Sequence, residues 1–348
     1  MRVSSVVPAG YQDAPVVEYL ASRFTYLPAG TWQALAESGR VWCNDQPCPP
    51  ATPVRQGDVV ACDLPDFTRP GVNFDYTLLY EDAWLLAVNK PANLRVHSRG
   101  RWTKANLIYH LRHEHQPPYP AARLVNRLDA DSSGVVLVAL DGPTLRHLQQ
   151  QFENGGVMKQ YWGVVHGVPA PAGGVIDLPL GPVTGGLVPH RQGVAGAPGV
   201  TSVKAAVTRY ETVQVAGAYT LLRLEPLSGR THQLRVHLAA IGHPLLGDAL
   251  YQMGDADYLA WCEGTRPGQD DPWLTRQALH CCQTRFQHPQ TGAQVTVFAP
   301  LPPDLAALWT QLGLPSDQPP AQVMEVMTDQ AIEQPPLPPQ PGTSQTCP

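Results

Sequence analysis

Apolar residues at helical spacing open the chain: Val16, Leu20 and Phe24, then Trp32 and Leu35, predict two short helices. Ser38-Gly39-Arg40 ends the second, Val41-Trp42-Cys43 begins a strand, Asn44 to Pro47 and Pro53 to Gly57 read as turns, and Asp58 to Cys62 forms a closing strand. Residues 1–65 are therefore expected to make a small domain, and the Pro- and Gly-containing residues 66–75 a linker. A larger domain is expected over residues 76–312. Within it, β-branched and apolar runs predict strands at Trp84 to Asn89, Val135 to Leu140, Val157 to Val165, Tyr219 to Glu225 and Gln294 to Phe298. Helical periodicity marks Pro143 to Asn154 and Thr231 to Ile241. Strands and helices mix without regular alternation, which predicts an α+β class rather than a doubly wound parallel sheet. Gly167 to Gly199 is so rich in Gly and Pro that it reads as an extended loop with little regular structure. Residues 313–348 are Pro-rich, lack aromatic side chains and read as a disordered tail.

Composition narrows the picture. The chain has 348 residues, 43% of them hydrophobic, enough for a sizeable core. Its longest aliphatic stretch, Val135 to Leu140, falls far short of the roughly 18 apolar residues of a spanning helix, so no membrane segment is expected. The first residues, MRVSSVVPAGYQD, lack the apolar core of a secretory signal, which points to the cytoplasm. Seven Cys without regular spacing agree with free thiols. The net charge is -5, but five acids (Asp304, Asp317, Glu325, Asp329 and Glu333) lie beyond residue 302, where there is no Lys or Arg. The rest is neutral, and its basic residues are mostly Arg, whose planar fork suits phosphates and base stacking. With no heptads and no large apolar stripe, a monomer is expected.

Three segments could carry chemistry. In RLVNRLDADSSGVVLVAL, residues 123–140, Asp129 sits in a turn-rich stretch at the mouth of an apolar strand, a good position for a nucleophile, although Asp129, Asp131 and Ser132 could equally shape a turn. In VMKQYWGVVHG, residues 157–167, strand alternation puts Lys159 and Tyr161 on one face and Trp162 on the other. Tyr161 offers a flat face for stacking and a phenol that exchanges a proton, though strand tyrosines commonly only pack. In EPLSGRTHQLRVHLAAIGHPLLGDALY, residues 225–251, Thr231 can cap a helix whose stripe is Leu234, Leu238 and Ile241. Arg235 lies beside that stripe and could reach a carboxylate, and Arg230 near the N-terminus could hold phosphate; both could also be solvated charges.

Other chemistries lack their signatures. His232 and His237 are not an i, i+4 pair, and no acidic residue separates them. Cys281-Cys282 are adjacent, and no second Cys pair has ligand spacing, so no metal is expected. Neither a P-loop nor a G-x-G-x-x-G turn is present, so no nucleotide cofactor is expected.

Together these segments closely resemble the RNA pseudouridine synthases of the RluA-like branch. The resemblance runs through YEDAWLLAVNKPANLRVHSRG (80–100), NRLDADSSG (126–134), KQYWGVVHG (159–167), SGRTHQLRVHLAAIGHPLLGDALY (228–251) and RQALHCCQTRFQHPQTGAQVTVFAPLPPDL (276–305). It implies a mixed, largely antiparallel central sheet flanked by helices and loops. It also implies that Asp129 is the catalytic carboxylate, that Tyr161 stacks on the target uracil and shuttles a proton, and that Arg235 pairs with Asp129. Arg127 matches the residue that fills the gap left by the extruded base. With Asn126, Arg230, Lys159, His97 and Arg99 it completes an expected RNA-binding set. Asn126 stands where a His is usual and Ser132 where a Thr is usual. The N-terminal order of helix, helix, strand, turn, strand resembles the small RNA-binding module first described in a ribosomal small-subunit protein.

The implied reaction breaks the N–C glycosidic bond of uridine and rejoins the base through C5, with no redox change and no cofactor. The expected partner is RNA, with ribosomal RNA favoured and transfer RNA as the alternative. Two rival readings belong to other classes: an RNA-binding or chaperone protein on an inactive scaffold, and a metal-dependent hydrolase using the histidines.

Overall fold

The computed structural model describes residues 2–24, 29–63, 71–97, 102–188, 190–262, 274 and 276–314. The expected tail lies almost wholly outside these residues, as do Arg99 and residues 66–70 of the expected linker. Two compact units emerge. One gathers the chain up to Gly71 together with His97–Tyr109; the other gathers Val72–Val96 and the chain from His110 onward. Residues 97–109, expected within the large domain, thus group with the first unit.

In the first unit, strands run in the order Arg2–Val6, Val59–Asp63, Val41–Cys43, Gln46–Pro47. The helices Val16–Arg23 and Ala29–Glu37 bury Val16, Tyr19, Trp32 and Leu35 in a core shared with Val41, Val54 and Val60. Trp32 satisfies its indole by donating to the Phe24 carbonyl at 3.2 Å. Strand Arg2–Val6 was not among the expected elements. It is a sheet edge held by antiparallel pairing with Val59–Asp63, a partner far away in sequence.

The second unit is built on a ten-stranded sheet. Its main path runs Gly173–Asp177, Val207–Ala216, Tyr219–Pro226, Met158–His166, Leu279–Gln287, Ser133–Ala139, Leu85–Lys90, Thr77–Glu81. Gln294–Phe298 adds to Leu279–Gln287, and Arg123–Leu124 to Ser133–Ala139. One pair among these is parallel, Ser133–Ala139 with Leu279–Gln287; the others are antiparallel. Every residue of Ser133–Ala139 is buried, as its unbroken apolar run requires. On one face, Trp162 and Val164 pack against Leu305, Leu308 and Trp309 of helix Pro303–Gln311.

Gly167 to Gly199 is not the unstructured loop expected. It supplies the edge strand Gly173–Asp177 and a hairpin of Leu180–Pro182 with Gln192–Val194. Gly and Pro do not forbid short strands; Gly173–Asp177 pairs with Val207–Ala216 outside the segment, while the hairpin closes within it.

Gly134 permits the parallel seam. Its φ is +115°, and a Cβ there would lie 2.1 Å from the Cys281 carbonyl oxygen. Gly134→Ala is therefore expected to force the seam apart and lower the unfolding midpoint by roughly 5 °C or more, read by differential scanning calorimetry.

Candidate active site

The parallel pair decides where chemistry can gather. Ser133 registers with His280 and Gly134 with Cys281, so both strands begin at the same end of the sheet. The loop carrying Asp129 and the segment Arg276-Gln277 enter side by side. On the next strand, Tyr161 pairs with Cys281. Ser133 and His280 lock the seam with a 2.9 Å bond between Oγ and Nδ1.

Two cations pin the Asp129 loop by its backbone. Lys90 is fully buried, and its Nζ donates to the carbonyls of Pro91 (2.7 Å), Leu94 (2.9 Å) and Ala130 (2.9 Å). Arg276 donates from Nη1 to the Asp131 carbonyl at 3.1 Å and grips Asp304 with Nε and Nη2 at 2.6 and 3.0 Å. Gln277 adds a 3.3 Å bond to the Ser132 hydroxyl. Burial draws the Lys90 ammonium down to about 7, opposed by Asp131 and Asp129. Its three carbonyl acceptors match the three N–H groups of the charged form; a neutral amine would leave one unpaired.

Helix Gln233–Ala240 brings the counter-charge. His232 and Arg235, three residues apart, share one face at its N-terminal end. Arg235 donates from Nε and Nη2 to both oxygens of Asp248, at 2.7 and 2.8 Å, and from Nη1 to Oδ2 of Asp129 at 2.9 Å. The Asp248 side chain is 1% exposed, whereas that of Asp129 is 28% exposed. The Tyr251 ring lies 5.0 Å from the Arg235 guanidinium. His232 Nε2 lies 3.9 Å from the same Oδ2 of Asp129, and its Nδ1 is 2.8 Å from the Tyr251 hydroxyl. Oδ1 of Asp129 has no hydrogen-bond donor among the described residues.

Thr231 does not cap this helix. His232 occupies the cap in a left-handed conformation, φ 55° and ψ 20°, which costs a residue with a Cβ about 1–3 kcal/mol. Gln233 reaches back instead: its Oε1 accepts from the Ser228 hydroxyl (2.7 Å) and the Arg230 N–H (3.0 Å).

Burial by itself raises the Asp129 carboxyl; the charges of His232 and Arg235 outweigh it and bring the carboxyl below its ordinary value. Since burial pushes His232 down to about 4, its ring is neutral near pH 7 and Arg235 is the permanent charge that keeps Asp129 ionised. Tyr161 is 8% exposed, and its phenol is raised well above its ordinary value by burial, then by Cys281 beside it, with Asp129 contributing. The opposite strand face, with Trp162, is spent on the C-terminal helix.

Asp129, Arg235 and Tyr161 are thus gathered. The expected RNA-binding residues scatter. Arg127 is exposed, and Arg230 is exposed while donating to the Ala205 carbonyl at 2.9 Å. Asn126 uses its Oδ1 to accept the Leu137 N–H at 2.8 Å, a local structural bond. Lys159 departs from expectation: it is buried, donates to the Ser228 carbonyl at 3.2 Å, and lies 5.6 Å from the Phe152 ring. His97 is exposed in the first unit, and Arg99 falls outside the described residues. Lys90, Asp248, Tyr251 and Arg276 carry no role in the expected site. All four lie within the segments of resemblance, but nothing local marks their partners.

The histidines offered as metal ligands are bonded separately. His237 contacts Thr208 Oγ1 and the Leu178 carbonyl at 2.9 Å each, His243 the His166 carbonyl at 2.9 Å, and His280 the seam.

The RNA pseudouridylate synthase family matches residues 84–240. The dual-specificity RNA pseudouridine synthase RluA of Escherichia coli is 36% identical over 225 residues, 64% of this chain and 92% of that protein. Ribosomal large subunit pseudouridine synthase D of Haemophilus ducreyi is 32% identical over 251 residues, 68% of this chain and 70% of that protein. Among solved structures, human RNA pseudouridylate synthase domain containing 1 superposes with a TM-score of 0.54 at 27% identity, covering 68% of this chain and 89% of that one. The chain belongs to the RluA family of RNA pseudouridine synthases: it is an RNA-modifying isomerase with the pseudouridine-synthase fold.

Proposed function

We propose that Asp129 is the catalytic carboxylate and that its Oδ1 is the oxygen that acts on the nucleoside. The observation that carries this reading is the one-sided pairing of the carboxylate. Arg235 and His232 both address Oδ2, so Oδ1 keeps its lone pairs for a reacting centre. During the reaction the N1–C1′ bond of uridine breaks, a C5–C1′ bond forms, and the C5 proton is exchanged for one on N1. Asp129 acts as the base is detached and is itself regenerated. Tyr161, on the adjoining strand, provides the flat surface on which the flipped-out uracil is retained, offsetting an unstacking cost of a few kcal/mol.

Large-subunit ribosomal RNA is the proposed substrate, supported by the name of the Haemophilus ducreyi relative. Arg127 and Arg230 are the proposed phosphate contacts. The first unit is proposed to add RNA contacts on the strength of its helix, helix, hairpin order. Over residues 1–71 and 97–109, however, it carries eight Lys and Arg against seven carboxylates, close to neutral. Arg55 is paired with Asp13 at 2.8 Å.

In a strain lacking this gene, carbodiimide mapping is expected to show loss of pseudouridine at a large-subunit ribosomal RNA position, restored by the wild-type gene and not by Asp129→Ala. Restoration by the variant would refute the catalytic assignment, and loss confined to transfer RNA would move the substrate. Replacing Arg235 by Met removes the charge that opposes burial. The acid limb of activity, expected below the ordinary value of 3.8 in the wild type, should then rise above it. The sign follows from a depressed carboxyl: the ion pair's stability is present above 3.8 and lost as pH falls through the folded-state value. Lys90→Met leaves three buried carbonyls without their donor. It is expected to lower kcat by roughly tenfold or more and to lower the thermal midpoint, measured by single-turnover assay and calorimetry.

A further inference from the structure

His232 stands out because its backbone is strained at the point where its ring meets the candidate nucleophile. It holds a left-handed conformation although it carries a Cβ, and it makes no capping bond. Backbone strain persists only where surrounding bonds over-determine it, and here the bonds are made by the ring. Nδ1 meets the Tyr251 hydroxyl at 2.8 Å, and that hydroxyl also accepts the backbone N–H of Gln192 at 3.1 Å. With Gln192 as donor, the phenol keeps its own proton to give. His232 Nδ1 is the one acceptor for it among the described residues. With the phenol donating to Nδ1, the imidazole carries its proton on Nε2, which faces Oδ2 of Asp129 across 3.9 Å. At that separation the contact is electrostatic rather than a hydrogen bond.

The far end of this chain of bonds is the hairpin of Leu180–Pro182 and Gln192–Val194. Next to Gln192, Arg191 is tied to Asp255 at 2.6 Å and lies 5.7 Å from the Tyr251 ring. The hairpin's backbone is thus fixed against the same tyrosine that orients the imidazole.

We propose that His232 is a positioning residue of the isomerisation, part of a relay from the Gln192 N–H through the Tyr251 hydroxyl to the imidazole, whose Nε2–H steers Asp129 so that Oδ1 is presented to the nucleoside. The inference rests on the reading of Asp129 as the catalytic carboxylate. It assigns the hairpin a role in catalysis at a distance: displacing Gln192 would release the tyrosine, then the imidazole, then the carboxylate.

The test uses the full chain labelled with ¹⁵N and an RNA substrate identified by the mapping described above. Nitrogen-detected spectra of the wild type are expected to show His232 as the Nε2–H tautomer. Tyr251→Phe, which keeps the ring beside Arg235 and removes only the hydroxyl, is expected to shift that tautomer. It should also lower kcat by roughly ten- to a hundredfold while leaving KM for RNA within roughly twofold. His232→Gln, which can offer an N–H at similar reach, should retain more of kcat than His232→Leu. A wild-type ring protonated on Nδ1 would overturn the proposal. So would Tyr251→Phe and His232→Leu variants with wild-type kcat while Asp129→Ala is dead, or variants whose losses track RNA affinity and thermal stability alone. An active Asp129→Ala would instead strike the catalytic reading, whatever the tautomer.

Discussion

The site depends on one buried guanidinium shared unequally between two carboxylates. Asp248 takes the fork of Arg235 with both oxygens and is almost wholly excluded from solvent; Asp129 takes the remaining Nη1 with one oxygen and stays partly exposed. The division matters. Bidentate pairing with Asp248 fixes the plane of the guanidinium, so the third bond is aimed before any substrate arrives. Removing one member of such a buried group leaves an uncompensated charge, at a cost of about 3–5 kcal/mol. Asp248 thereby acts on Asp129 without touching it.

The backbone beneath Asp129 is held with equal care. Lys90 and Arg276 bond the successive carbonyls of Ala130 and Asp131 from different parts of the sheet. Burying a lysine is costly, and here the cost is offset by three carbonyl oxygens and two nearby acids. A loop with Asp, Ser and Gly in succession would otherwise have many conformations to lose. Held at both carbonyls, it offers the carboxylate from one position.

Several residues that look chemical are committed elsewhere. His237, His243 and His280 each complete a bond to hydroxyl or carbonyl partners within the fold. Cys281 is buried beneath Tyr161, and burial raises its thiol. Buried polar groups need partners whatever the protein's activity, so a histidine count says little until its bonds are known.

The α+β class and several elements were written in local pattern: the buried strand Ser133–Ala139 is an unbroken apolar run, and the segments expected to be helical overlap Gly142–Glu153 and Gln233–Ala240, although the latter buries Gln233 to Leu238 without a break. The strands Leu279–Gln287 and Val207–Ala216 were not expected. The motif set likewise marked Asp129, Tyr161 and Arg235. Illegible were features whose cause is a distant partner: the edge strands Arg2–Val6 and Gly173–Asp177, and the burial of Lys159. The same holds for Asp248 and Lys90, whose meaning lies in what they grip. Periodicity reports which residues turn inward, because that depends on neighbours along the chain. Which charges then meet depends on the parallel seam that brings residues 129 and 276 to one end of the sheet, and no local pattern encodes a pairing across that distance.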